Sequence, residues 1–147
     1  MFERYSPKAR RVLFHARYEA SIFGSPYIEA EHLLLAFLVE NKALMGRILR
    51  AEASKESFRK QIEAQVVRHE PIPTSVDLPL SDELKRVMAY AAEEADRLRH
   101  KQVGPEHLLL GLLREEQSPS SALLRENGLE VHAMRRELEN WPAQDDQ

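Results

Sequence analysis

The chain contains one segment twice. Glu31-His32-Leu33-Leu34-Leu35 returns as Glu106-His107-Leu108-Leu109-Leu110, 75 residues later. The same offset, with no gap, aligns Ser6 with Ser81, Arg11-Val12 with Arg86-Val87, Ala16 with Ala91, Glu19-Ala20 with Glu94-Ala95, Leu38 with Leu113 and Leu49-Arg50 with Leu124-Arg125. Between Ser6 and Glu40, 13 of 35 positions are identical at this offset, where unrelated segments would share about two. A duplicated unit must fold the same way twice, so this repeat constrains the fold more than any other feature. The unit is too long for a solenoid array and occurs only in two copies, so one domain with pseudo-two-fold symmetry is expected.

A length of 147 residues suits one such domain with a sizeable core. The formal charge of −3 offers no basic field for nucleic acid. The absence of cysteine excludes disulfides, thiolate catalysis and cysteine-bound zinc, and fits a cytoplasmic setting. No stretch approaches the length of a membrane span, and the start lacks the apolar core of a signal peptide. Only five glycines accompany abundant Ala, Leu, Glu and Arg, a composition that favours helix.

The spacing predicts an all-α chain of about eight helices, four per repeat. The first repeat runs over about 5–67, a proline-containing linker over about 69–79, and the second repeat over about 80–140. Ser6-Pro7 opens the first helix as N-cap and first helical residue, and Gly24-Ser25-Pro26 ends it. The second helix, from near Ala30, is apolar nearly all round and should be buried on several sides. A short helix around Ala43–Ala51 follows, then an amphipathic one bearing Phe58, Ile62 and Val66. Ser81-Asp82-Glu83 caps a long helix, Pro105 opens the next, Ser120–Asn127 ends at Gly128, and the last carries Val131, Met134 and Leu138. Aligning that last helix with Phe58 and Ile62 requires an offset of 76 rather than 75.

No nucleophile elbow, catalytic triad order, phosphate-cradling glycine loop or H-E-x-x-H occurs, so the chain is expected not to be an enzyme, with no cofactor and no metal site. Adjacent residues on a helix point about a hundred degrees apart, so a Glu-His pair does not chelate one ion. Each motif histidine is expected to hydrogen-bond across the repeat interface. His15, His69, His100 and His132 are expected at the surface. Arg10-Arg11, the run Arg97 to Lys101 and Arg135-Arg136 read as solvated faces. Glu31 and Glu106 remain, each in the first turn of its helix, where an acid complements the helix dipole by ~0.3–1 kcal/mol. Dipole help does not require the same acid in both copies, whereas twin binding sites would. Ser6 and Ser81 begin other helices, where free N–H groups and a hydroxyl can hold an anion. A carboxylate beside such a helix start would suit a ligand carrying both charges.

These residues resemble the double-repeat N-terminal (Clp-N, or Clp R) domain of Clp AAA+ unfoldases, in particular the ClpC branch. Each family repeat runs roughly F/Y-T-x-x-A-x-x-V-L, then E-A, then G-T-E-H-I-L-L-G-L. Here the first copy reads Tyr5-Ser6-Pro7-Lys8-Ala9-Arg10-Arg11-Val12-Leu13 and Ile28-Glu29-Ala30-Glu31-His32-Leu33-Leu34-Leu35-Ala36. The second reads Leu80-Ser81, then Val103-Gly104-Pro105-Glu106-His107-Leu108-Leu109-Leu110-Gly111. The likeness spans Met1 to about Leu138.

The resemblance implies a non-catalytic protein-binding module that recruits unfolded or tagged substrates, arginine-phosphorylated proteins among them, or adaptor proteins, for an unfoldase and its protease. It implies that Glu31 and Glu106 meet a guanidinium, while Ser6 and Ser81, in place of the family threonines, help hold a phosphate. The motif threonine is Ala30 in one copy and Pro105 in the other, and the motif glycine is Glu29 in the first. Pro7 lacks an N–H, and Asp82 puts negative charge where a phosphate would sit. The first-helix glycine turn survives as Gly24, with His100-Lys101 in its place in the second copy. The alternative reading is a free-standing Clp-N protein that binds and regulates an unfoldase or another partner without handling substrate.

Overall fold

The computed structural model describes residues 3–48 and 55–140. Among these residues the chain forms eight helices: α1 (Pro7–Phe23), α2 (Ala30–Glu40), α3 (Lys42–Ile48), α4 (Lys55–Glu63), α5 (Asp82–Arg97), α6 (Pro105–Arg114), α7 (Pro119–Glu126) and α8 (Val131–Glu139). The all-α expectation holds. The predicted end of the short helix at Ala51, and Trp141-Pro142, lie outside the described residues.

The local signals act as the chemistry requires. Ser6 and Ser81 adopt extended backbone, and each hydroxyl accepts the N–H three residues on, Ala9 and Leu84, at 3.1 Å. Gly24 ends α1 in the left-handed region, at φ 69°. In the second copy the same geometry falls on Arg99, at φ 60°. The turn is therefore kept there without glycine, one residue before the His100-Lys101 pair expected to replace it. α2 and α6 are the buried centre: Leu33, Leu34, Leu35, Leu108, Leu109 and Leu110 have no exposed surface. Within each half, α1 packs on α2 and α5 on α6. Gly111 lets α6 approach α5, because a Cβ there would collide with the Val87 carbonyl oxygen.

A buried carboxylate ties the first helix of each half to the last. Arg59 of α4 reaches Glu19 of α1 at 3.3 Å, and Arg135 of α8 reaches Glu94 of α5 at 2.7 and 2.9 Å. Glu94 is fully buried and also accepts from Arg114 at 3.0 Å. Burial alone would raise its pKa, but the hydrogen bonds and charge of Arg135, with Arg114 and Arg97, hold it below the usual carboxylate range. The two arginines stand 76 residues apart, the offset that the last helix needs. Arg135 is thus not on a solvated face: its side chain is only 17% exposed.

Two isolated parallel bridges join the halves. Tyr5 pairs with Val103 and Ile28 with Leu80. Ser6 N–H donates to the Val103 carbonyl at 3.0 Å and Val103 N–H to Arg4 at 2.9 Å. Ile28 N–H donates to Pro79 at 2.8 Å and Ser81 N–H to Ile28 at 3.0 Å. The partners are themselves related by the 75-residue offset, so the two bridges are one contact made twice. The proline-containing stretch is tied down as well. His69 and Ile72 donate to Phe23 and Ser21 at 2.9 Å, and Arg17 holds the Thr74 and Val76 carbonyls.

Leu34→Ala or Leu109→Ala should lower unfolding stability by ~2–5 kcal/mol, and a near-neutral denaturation midpoint would refute the buried-helix assignment. Arg99→Gly should raise it by ~0.5–1 kcal/mol by relieving a left-handed side-chain position, read from the shift in midpoint.

Candidate functional site

The bridges decide which candidate residues meet. Tyr5–Val103 sets the start of α1 beside the start of α6, so Ser6 of the first repeat faces Glu106 of the second. Ile28–Leu80 sets the start of α5 beside α2, so Ser81 lies on the side of Glu31. Each candidate site is composite, drawn from both repeats.

The Ser6–Glu106 side holds a cavity of about 180 Å³, whose polar wall includes Ser6, Lys8, Glu40, Lys42, Arg47 and Glu106. That volume accommodates a polar head group rather than a large apolar ligand. Ser6 and Glu106 are each only 5% exposed. Ser6 Oγ accepts the cap hydrogen bond, and its O–H is left to donate. The Glu106 carboxylate folds back over Gly104, where a Cβ would collide with Oε1. Burial raises the Glu106 pKa, against the opposing effect of its own backbone N–H and of nearby His100 and Lys8. A cationic ligand reaching this carboxylate would favour its charged form, while Lys8, Lys42 and Arg47 line the cavity with positive charge for an anion. The lysine and arginine of α3 were not singled out in the sequence. Their signal lies in the offset: Lys42 and Arg47 align with Gln117 and Ala122, so these cations belong to one copy only.

The Ser81–Glu31 side is built differently. Carboxylate oxygens of Glu29, Glu31 and Glu83 lie within 4.8 Å of one another. Burial first, then the charges of Glu29 and Glu83, push the Glu31 pKa up to about 7, despite its own backbone hydrogen bond. Arg86 pairs with Glu115 at 2.6 Å, and Lys85, largely exposed, lies 4.0 Å from Asp82.

The histidines do not cross the repeat interface. Glu29 N–H donates to His32 Nδ1 at 2.9 Å, and Gly104 N–H to His107 Nδ1 at 2.8 Å. Each histidine caps its own helix from the third position, the place glutamate takes in a capping box. A backbone N–H only donates, so Nδ1 carries no proton and the neutral ring is protonated at Nε2. Burial keeps both rings neutral, their pKa values lowered to about 4. His107 Nε2–H therefore donates to His100 Nδ1, 2.9 Å away. A protonated Nε2 cannot ligate a metal, so His100, Glu106 and His107, although clustered, form a hydrogen-bond chain rather than a ligand set. His100, expected at the surface, is half-buried. So is His15, which lies 3.0 Å from Glu19 and 3.2 Å from Glu40. His69 and His132 are exposed as expected.

A carboxylate whose folded pKa is raised favours folding most while protonated, and that advantage is lost as pH rises through the folded value. Between about pH 5 and pH 8 the protein should lose stability through Glu31. Glu31→Gln should remove on the order of 1 kcal/mol or more of that loss, measured as the wild-type minus variant difference in denaturation at the two pH values. Equal pH slopes would refute the crowded-carboxylate geometry.

The profile of the Clp repeat (R) N-terminal domain family matches residues 4–127 and 79–144. The chain is 31% identical over 139 residues, 94% of its length, to the chloroplastic chaperone protein ClpC1 of Oryza sativa subsp. japonica. It is 30% identical over the same length to the ATP-dependent Clp protease ATP-binding subunit ClpA homolog of Porphyra purpurea. It spans 15% and 17% of those two relatives. The N-terminal domain of ClpD from Arabidopsis thaliana superposes with a TM-score of 0.73 at 22% identity, covering 92% of each chain. The Hsp104 N-terminal domain from Candida albicans does so with a TM-score of 0.75 at 19% identity, covering 98% of this chain and 97% of that one. Among the described residues no helix is long and apolar enough to cross a membrane. With the duplicated motif, the all-helical fold and the family profile in agreement, this chain belongs to the Clp repeat (R) N-terminal domain family.

Proposed function

We propose that this domain is a non-catalytic protein-binding module of a cytoplasmic Clp-type quality-control system, recruiting substrates or adaptor proteins for an AAA+ unfoldase. The chemistry it reads is a side chain bearing a cation and an anion close together, as phosphorylated arginine does. One observation carries this reading: Ser6 and Glu106, from different repeats, line one cavity with Lys8, Lys42 and Arg47. In this arrangement the Glu106 carboxylate accepts from the guanidino N–H groups. The Ser6 hydroxyl, the backbone N–H of Lys8 and the lysine side chains are the donors on offer to the phosphate. Pro7 contributes no N–H, and Lys8 offsets that loss with charge.

A catalytic role has little support. The pocket offers a carboxylate and cations but no activated nucleophile, and the buried histidines are held neutral as helix caps. Family membership does not by itself choose a compartment, because relatives include proteins named as chloroplastic. The absence of cysteine is compatible with a reducing one.

Titration of the 147-residue chain with free phosphoarginine, followed by calorimetry and amide NMR, should give saturable binding, with arginine and phosphoserine as weaker controls. Glu106→Ala should reduce affinity at least about tenfold while leaving helicity unchanged. No saturable response to phosphoarginine would overturn the proposed ligand.

A further inference from the structure

Resting on that reading, we infer that the two composite pockets have diverged and that only the Ser6–Glu106 pocket accepts the phosphorylated ligand, so that the domain binds one such side chain, not two. The backbone is the same on both sides: each candidate site lies where a helix start capped by serine meets a helix start bearing glutamate, joined by equivalent bridges. The side chains set into that frame have changed sign. Lys8, in the first turn of α1, becomes Glu83 in the first turn of α5. Pro7 becomes Asp82. The α3 cations Lys42 and Arg47 become Gln117 and Ala122. The first turn of α1 holds no acid, and that of α5 holds two.

A fourth change acts on the glutamates themselves. Gly104 leaves the space over which Glu106 folds its carboxylate. The residue aligned with it is Glu29, which has a Cβ and adds a charge against Glu31. A dianion placed beside Ser81 would meet Glu29 and Glu83 besides Glu31, the counterpart of Glu106, with Arg86 paired to Glu115. The same dianion beside Ser6 would meet Lys8 and Lys42, and Glu40 on that wall is drawn to His15. Lys8 therefore determines which site binds, and Glu83 and Glu29 exclude phosphate from its counterpart.

Calorimetric stoichiometry with free phosphoarginine, measured on the whole chain and on four variants, tests this. The expected result is one ligand per chain. Affinity should fall at least about tenfold in Glu106→Gln and in Lys8→Glu and change by less than about twofold in Glu31→Gln. The double variant Glu29→Gly with Glu83→Lys should gain a second site, seen as a doubled stoichiometry and as new amide shifts at Ser81 and Glu31. Two equivalent sites in the unmodified chain, or equal losses in Glu31→Gln and Glu106→Gln, would overturn the divergence while leaving the proposed ligand standing. No binding by the unmodified chain or by the double variant would overturn the ligand itself, and with it this inference. Circular dichroism of each variant separates loss of binding from loss of fold.

Discussion

Two short backbone bridges between the repeats govern the arrangement on which everything else depends. Each consists of a residue just before a first helix paired with a residue just before the partner repeat's second helix. The four hydrogen bonds involved are ordinary in length, 2.8 to 3.0 Å, and each is worth about 1 kcal/mol net. Their importance is geometric. They place the N-terminal ends of α1 and α6 side by side, and do the same for α5 and α2. A capping hydroxyl of one repeat and a first-turn glutamate of the other thereby share a side of the molecule in two places. A helix start alone is a weak anion site; two of them facing each other, with a buried carboxylate on one and lysines beside the other, make a pocket with directional charge.

Duplication has conserved different things to different degrees, and physics accounts for the order. The leucine triplets Leu33–Leu35 and Leu108–Leu110 are identical and fully buried in both copies, because a truncated core side chain leaves a cavity. The serine and histidine caps are retained because each satisfies a backbone N–H that packing would otherwise leave without a partner. The Glu19–Arg59 and Glu94–Arg135 ties are retained because breaking such a pair strands a buried charge. Charges on the rims of the pockets bear none of these costs. They are the positions at which the copies differ, as Lys8 against Glu83 and Arg47 against Ala122.

Much of this was legible in the sequence. The repeat, the apolar second helix, the serine caps and the Gly24 stop all rest on local chemistry and periodicity, and they fall where the residues place them. The pairing of Ser6 with Glu106 was not legible, because assembly within a repeat and across repeats satisfies the same helical periods. The histidine contacts are hidden in the sequence for a related reason. Hydrogen bonding by His32 and His107 was foreseeable, but a cap on their own helices and a bond across the interface leave the same trace in the sequence. Arg99 illustrates tertiary override: it takes the left-handed position that Gly24 fills in the first copy, although no residue type there announces the turn. Nothing local marks Arg135 as buried either, because its partner, Glu94, is 41 residues away.

The central claim is that reciprocal bridges lock the helix starts of one repeat against those of the other. Native-state amide hydrogen exchange at Ser6, Ile28, Ser81 and Val103 tests it most directly, because these four N–H groups donate the bridging hydrogen bonds. The account predicts that all four exchange slowly, with protection approaching that of the buried α2 and α6 amides. Exchange of these amides at the rate of open loops, with the helices still protected, would mean that the helix starts are not joined and that the composite pockets do not exist.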